Sequence, residues 1–270
     1  MPGLYARLFN GIIYSYMPLP RVVFQSVPFQ LEIDWMYGFL FYNKWGWEKR
    51  ILKVHPNLQE IYKYSKEVER KKFLKNYISD FRARNKTKID EKVAFHQKNW
   101  QKMEKQYLAI LSEIIETPWP KEGKQIKALV SINPICPRFI NDWSFFFNYN
   151  ASLKSGREII MHEICHFLYF KKWKEIFPKT NKKKFDYPYL EWHLSELLAP
   201  VILSDPRIQK LLNKKPDFYK EHEVIKIGNK SAPKYFADRY KGIVLQNCSF
   251  EDFLKESFTA AQGIADKLGI

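Results

Sequence analysis

Cysteine is nearly missing from this chain. There are three, Cys136, Cys165 and Cys248, an odd number with no paired spacing. That excludes a disulfide framework and favours a reducing compartment, so a cytoplasmic location is expected. No apolar run reaches membrane-spanning length, which leaves no candidate transmembrane helix. The nearest approach, LFNGIIYSYMPLP after Arg7, is interrupted by Asn10 and Gly11. No small-residue cleavage site follows it, so secretion is the less favoured reading. Internal repeats and low-complexity linkers are also absent.

Negative charge is in short supply. Against 29 acidic residues stand 45 lysines and arginines, a net charge of +16. The excess is mostly lysine and is spread along the chain, with only NKKPD and TNKKKFD approaching a basic run. No nucleic-acid motif accompanies it. A solvated basic surface is the plain reading, and a nucleic acid or another anionic partner is the alternative.

What is present is aromatic. Phe, Trp and Tyr make up 17% of the 270 residues, which argues for a packed interior and against disorder. Residues 1–56 form an aromatic-rich segment in which RVVFQSV and FQLEI read as strands. MYGFLFYNKWGW reads as core, with a substrate pocket as its functional alternative. From residue 57 to about 117 the apolar spacing is helical, with a break near RNKTKID and an end at TPWP. KALVSI and WSFFFNYN read as strands around the loop NPICPRF. SLKSGREIIMHEICHFLYFKKW reads as a helix with Ser155 as a candidate cap, FPKTNKKKFDYP as a loop, and YLEWHLSELLAPVIL as a helix that Pro200 kinks or ends. Short helices follow. The expected class is α+β, with residues 57–270 forming one unit on which residues 1–56 pack.

The chemistry is concentrated in REIIMHEICHFLYF. His162, Glu163 and His166 spell H-E-x-x-H. Residues four apart on a helix lie about 40° apart around its axis and one turn apart along it, so both imidazoles can reach one metal ion. Glu163 stands beside them, placed to act on a water molecule at that ion. Ile159, Ile160, Ile164, Phe167 and Leu168 make the rest of this helix apolar, so histidines buried here need polar partners. A catalytic zinc takes three protein ligands, and the following helix offers Glu191, His193 and Glu196 for the third place. Cys165 points to another side of the helix and reads as a small buried residue, and Cys136 is a remote candidate thiolate. His55 and His96 read as surface residues.

This pattern resembles the zincin metallopeptidases of the gluzincin type. The residues after His166 do not continue with the glycine and third histidine of metzincins, since Tyr169 and Lys172 occupy those places. Leu194-Ser195-Glu196-Leu197-Leu198-Ala199 resembles the glutamate helix of gluzincins. The resemblance covers roughly residues 88–205, with its specific motifs confined to 159–199. It implies a zincin-like fold with a small mixed β-sheet, an HExxH helix and a glutamate-bearing helix, preceded by long helices. It implies one Zn2+ per chain held by His162, His166 and Glu196, and Glu163 as general base in the hydrolysis of a peptide or protein substrate. In that family a downstream tyrosine or histidine often steadies the transition state; Tyr235, Tyr240 and His222 are the candidates here. WSFFFNYN resembles the edge strand that pairs with an extended substrate. The alternative is a non-catalytic or non-peptide-acting zincin scaffold that binds nucleic acid or another anionic partner through its basic surface.

Overall fold

A computed structural model describes residues 18–42, 46–120, 125–246 and 248–270. The apolar segment weighed as a leader falls mostly on residues 8–17, outside them, as do residues 43–45 of the aromatic stretch. The fold is α+β, with a small mixed sheet. In chain order the elements are β1 (Val22–Ser26), α1 (Phe29–Phe41), α2 (Trp47–Val54), α3 (Glu67–Arg84), α4 (Lys86–Gln101), α5 (Glu104–Ile115), β2 (Ile126–Ser131), β3 (Arg138–Phe139) and β4 (Ser144–Asn148). Then come α6 (Leu153–Ile176), α7 (Leu190–Leu203), α8 (Pro206–Leu212), α9 (Lys220–Glu223), β5 (Lys226–Ile227), β6 (Lys230–Ser231), α10 (Ala232–Gln246) and α11 (Phe250–Gln262). They divide into two compact units that interleave along the chain: Val22–Lys102 with Gln125–Ile160, and Met1–Arg21 with Met103–Lys124 and Met161–Ile270. Residue 56 falls inside the first. The helix α6 divides between the units after Ile160.

The first unit holds the sheet, in the order β1-β2-β4-β3. β1, β2 and β4 are parallel and β3 is antiparallel to β4. Their apolar runs are nearly continuous, as strands covered on both faces require. On one face Leu129 and Phe146 pack with Val27, Leu31 and Trp35. On the other, Phe147 meets Phe24 edge-on at 5.4 Å and His96 at 4.6 Å. The free edge of β1 is satisfied by a side chain: the Phe24 N–H donates to Gln97 Oε1 (2.9 Å) and Gln97 Nε2 donates to the Val22 carbonyl (3.1 Å).

Several expectations change here. FQLEI is not a strand but the first turns of α1. Ile33, Met36, Tyr37 and Leu40 are buried at helical spacing, a period that five residues are too few to display. WSFFFNYN is not an edge strand. β4 has neighbours on both sides, and its run of buried Ser144, Phe145, Phe146 and Phe147 is the mark of an interior strand. Ser152, rather than Ser155, caps α6. The Ser155 N–H donates to Ser152 Oγ and the Ser152 N–H donates back to Ser155 Oγ, each at 3.1 Å. His55 and His96 are both buried, not on the surface. His55 donates from Nε2 to the Ile132 carbonyl (2.9 Å) and accepts at Nδ1 from the Tyr77 hydroxyl (3.0 Å). His96 is enclosed by Phe24, Phe95 and Phe147.

The second unit is helical around α7. Every residue of α7 from Glu191 to Leu203 is buried, so this helix is wrapped on all sides, with α10 and α11 among its neighbours. Pro200 does not end it. It does remove the N–H that would bond the Glu196 carbonyl one turn earlier. At the end of α7 the buried Asp205 accepts from the backbone N–H and Nε of Arg207 (2.9 and 3.0 Å) and from the Tyr240 hydroxyl (3.0 Å). This pins α10 against the α7–α8 corner. Among the described residues no helix is long and apolar enough to cross a membrane.

Candidate metal centre

The site starts from the H-E-x-x-H turn of α6, held from below and from the side. The Tyr107 hydroxyl of α5 donates to the carbonyl of Met161, the residue before His162 (2.5 Å). Phe170 stacks on His166, with ring centroids 6.1 Å apart and planes 21° apart, and Phe185 stacks on Phe170 at 4.3 Å. The imidazoles of His162 and His166 stand edge to face at 4.7 Å. His166 is fully buried, while the side chain of His162 is 19% exposed and forms the open side of the site.

Glu196 arrives from α7. Its carboxylate lies 3.1 Å from His162 Nε2 through Oε2 and 3.5 Å from His166 Nε2 through Oε1, and the two Nε2 atoms are 3.0 Å apart. All three donors lie within 4.8 Å of one another, a group that could hold a metal ion. Ligands placed tetrahedrally at 2.0–2.1 Å from zinc stand about 3.3 Å from one another. The observed separations fall on both sides of that value. Hydrogen bonding alone serves this arrangement badly: His162 Nε2 faces both His166 Nε2 and a carboxylate oxygen, and a neutral imidazole nitrogen has one hydrogen at most. A divalent cation meets all three donors at once, so the residues fit the ion.

The other sequence-predicted residues fall as follows. Glu163 is buried beside His162. Glu191 is outside the group and pairs with Lys184 Nζ at 3.1 Å. His193 is also outside it; its Nδ1 lies 3.4 Å from His222 Nε2. Burial holds the imidazole of His193 down at about 4, helped by the neighbouring His222 and opposed by the charge of Glu196. Burial likewise lowers His222, against the opposing charges of Glu196 and Glu221. Both rings are therefore neutral at pH 7 and both feel Glu196. His222 Nδ1 is buried with no hydrogen-bond partner among the described residues. Tyr240 is committed to Asp205, which raises its hydroxyl well above the usual tyrosine range together with the larger effect of burial. Tyr235 packs edge-on against Phe236 under the guanidinium of Arg239. Cys165 is buried, and Cys136 lies in the other unit. Lys86, Arg82, Ser26 and Ser131 line a cleft in that unit, which contains none of the predicted site residues.

Sequence reasoning did not find Tyr107 or the His193–His222 contact. The first is 54 residues from its partner and the second spans 29, and neither carries a local signal. No protein-family model, curated protein or solved structure matches the chain.

Proposed function

We propose that the chain is a zinc-dependent metallopeptidase of the gluzincin type, with a zincin-like fold. One observation carries the reading: the two H-E-x-x-H nitrogens and the Glu196 carboxylate converge at separations a tetrahedral zinc would take, with a carboxylate next in sequence to the first histidine. His162, His166 and Glu196 would hold the ion. A bound zinc supplies Lewis acidity, which brings the pKa of water down to about 7 and polarises a carbonyl group.

The chain's own residues supply the rest. Glu163 takes the proton of the attacking water on its carboxylate and returns it to the nitrogen of the leaving amine. Of the candidate oxyanion donors, Tyr240 is already engaged by Asp205, whereas His222 stands beside His193 of α7, on the helix that carries Glu196. The three free cysteines accord with a cytoplasmic location.

Digestion of a peptide library by the full chain tests the proposal. Cleavage should be abolished by a chelator and restored by added zinc. Cleavage that persists in chelator removes the metallopeptidase reading. Absence of cleavage by a zinc-loaded chain favours the non-catalytic or non-peptide-acting scaffold.

A further inference from the structure

Large apolar side chains on the outside of the protein are concentrated in one short stretch. Of ten such exposed side chains among the described residues, Tyr42, Val54, Tyr62, Tyr64 and Val68 fall within residues 42–68. Residues 62–69 are all exposed. Scattered surface apolar groups need no explanation, but this local excess does.

Contacts join most of these residues into one surface. The Tyr42 hydroxyl donates to Glu67 (3.4 Å), and the Tyr62 hydroxyl donates to the Leu40 carbonyl (3.4 Å). Arg70 lies over the Phe41 ring at 4.8 Å and bonds the Tyr64 carbonyl at 2.7 Å. Phe41 in turn meets Tyr62 at 5.4 Å. Tyr42 and Val68 are nonetheless 68% and 78% exposed. The surroundings are basic: residues 46–75 carry nine lysines and arginines against four acids.

We infer that this surface, built on the ends of α1 and α3 and the 3₁₀ stretch Pro56–Lys63, docks on an anionic lipid surface. Tyrosines with one polar end and one apolar body suit the headgroup level. The lysines suit a negatively charged leaflet, where each contributes about fivefold to binding. Val68 decides between two classes of anionic partner. An exposed aliphatic side chain gains by entering acyl chains, whereas a nucleic-acid surface of this kind works by stacking and phosphate contact. The inference does not depend on the metal centre.

Co-sedimentation of the full chain with phosphatidylcholine vesicles, with and without phosphatidylserine, provides the test. Binding is expected only with phosphatidylserine and should weaken as salt rises. Val68→Asp and the pair Lys66→Glu with Lys72→Glu should each lower it at least about tenfold, with thermal unfolding like the parent's. Because all three positions are exposed, these variants should fold. No binding to either vesicle, equal binding to both, or parent-like binding by Val68→Asp overturns the inference. So does a single-stranded oligothymidylate that binds in place of the vesicles and is lost in the lysine variant.

Discussion

The Nε2 atoms of His162 and His166 lie 3.0 Å apart, and the carboxylate of Glu196 faces both. Two imidazoles so arranged can share one hydrogen or one cation, and the nearby carboxylate favours the cation. Purified full-length chain reloaded with zinc should therefore hold one zinc, and His162→Ala should lose it. Glu196→Gln should also lose most of it, because glutamine supplies no charge. Glu191→Gln should keep it, since Glu191 is engaged by Lys184. Elemental analysis after dialysis reads all three. Normal zinc in Glu196→Gln with loss in Glu191→Gln would assign the third ligand to the wrong turn of α7.

Glu163→Gln should retain zinc and fold while losing at least about two orders of magnitude in turnover, the usual scale of positioned acid–base catalysis. Glutamine nearly matches the shape of the side chain but cannot hold the proton. Parent-like peptide hydrolysis by the zinc-loaded variant would remove Glu163 from the mechanism.

Tyr240→Phe should leave zinc content and turnover unchanged and cost about 1–2 kcal/mol in stability. Its hydroxyl serves Asp205, which is buried and also holds Arg207 through its backbone and side chain. Denaturant unfolding measures the loss. A fall in kcat with unchanged stability would restore the transition-state role that the sequence allowed for this tyrosine.

The legible parts of this protein are those whose signal is local. The H-E-x-x-H turn and the helical period around it are readable because the site and its helix share the same few residues. The glutamate helix is readable from its apolar content, but the choice among Glu191, His193 and Glu196 depends on which face of α7 meets α6, a tertiary fact. FQLEI misleads because five residues sample barely more than one helical turn, and only the burial of Met36 and Leu40 farther on fixes the period. His55 and His96 look like surface residues because their partners, Ile132 and Phe147, lie 77 and 51 residues away in the chain. The interior place of β4 depends on β3, a strand of two residues that no periodicity can reveal.

His96 sets a pH dependence whose direction can be worked out. Burial among Phe24, Phe95 and Phe147, with a smaller contribution from the charge of Lys92, lowers its imidazole to about 4, against the opposing effect of the Ala151 backbone. In the unfolded chain a histidine titrates near 6.5. Between these values the unfolded chain binds a proton that the folded chain refuses, so acid favours unfolding. The contribution is intact above about pH 6.5 and is lost progressively as the pH falls towards 4, with an upper limit of about 3 kcal/mol. Denaturant unfolding of the metal-free chain at several pH values should show stability falling through this window. His96→Phe removes the titrating group from an aromatic setting, so its slope against pH should be shallower by up to one proton. An unchanged slope in that variant would mean that the acid sensitivity comes from other buried histidines, of which His55, His193 and His222 are also lowered by burial.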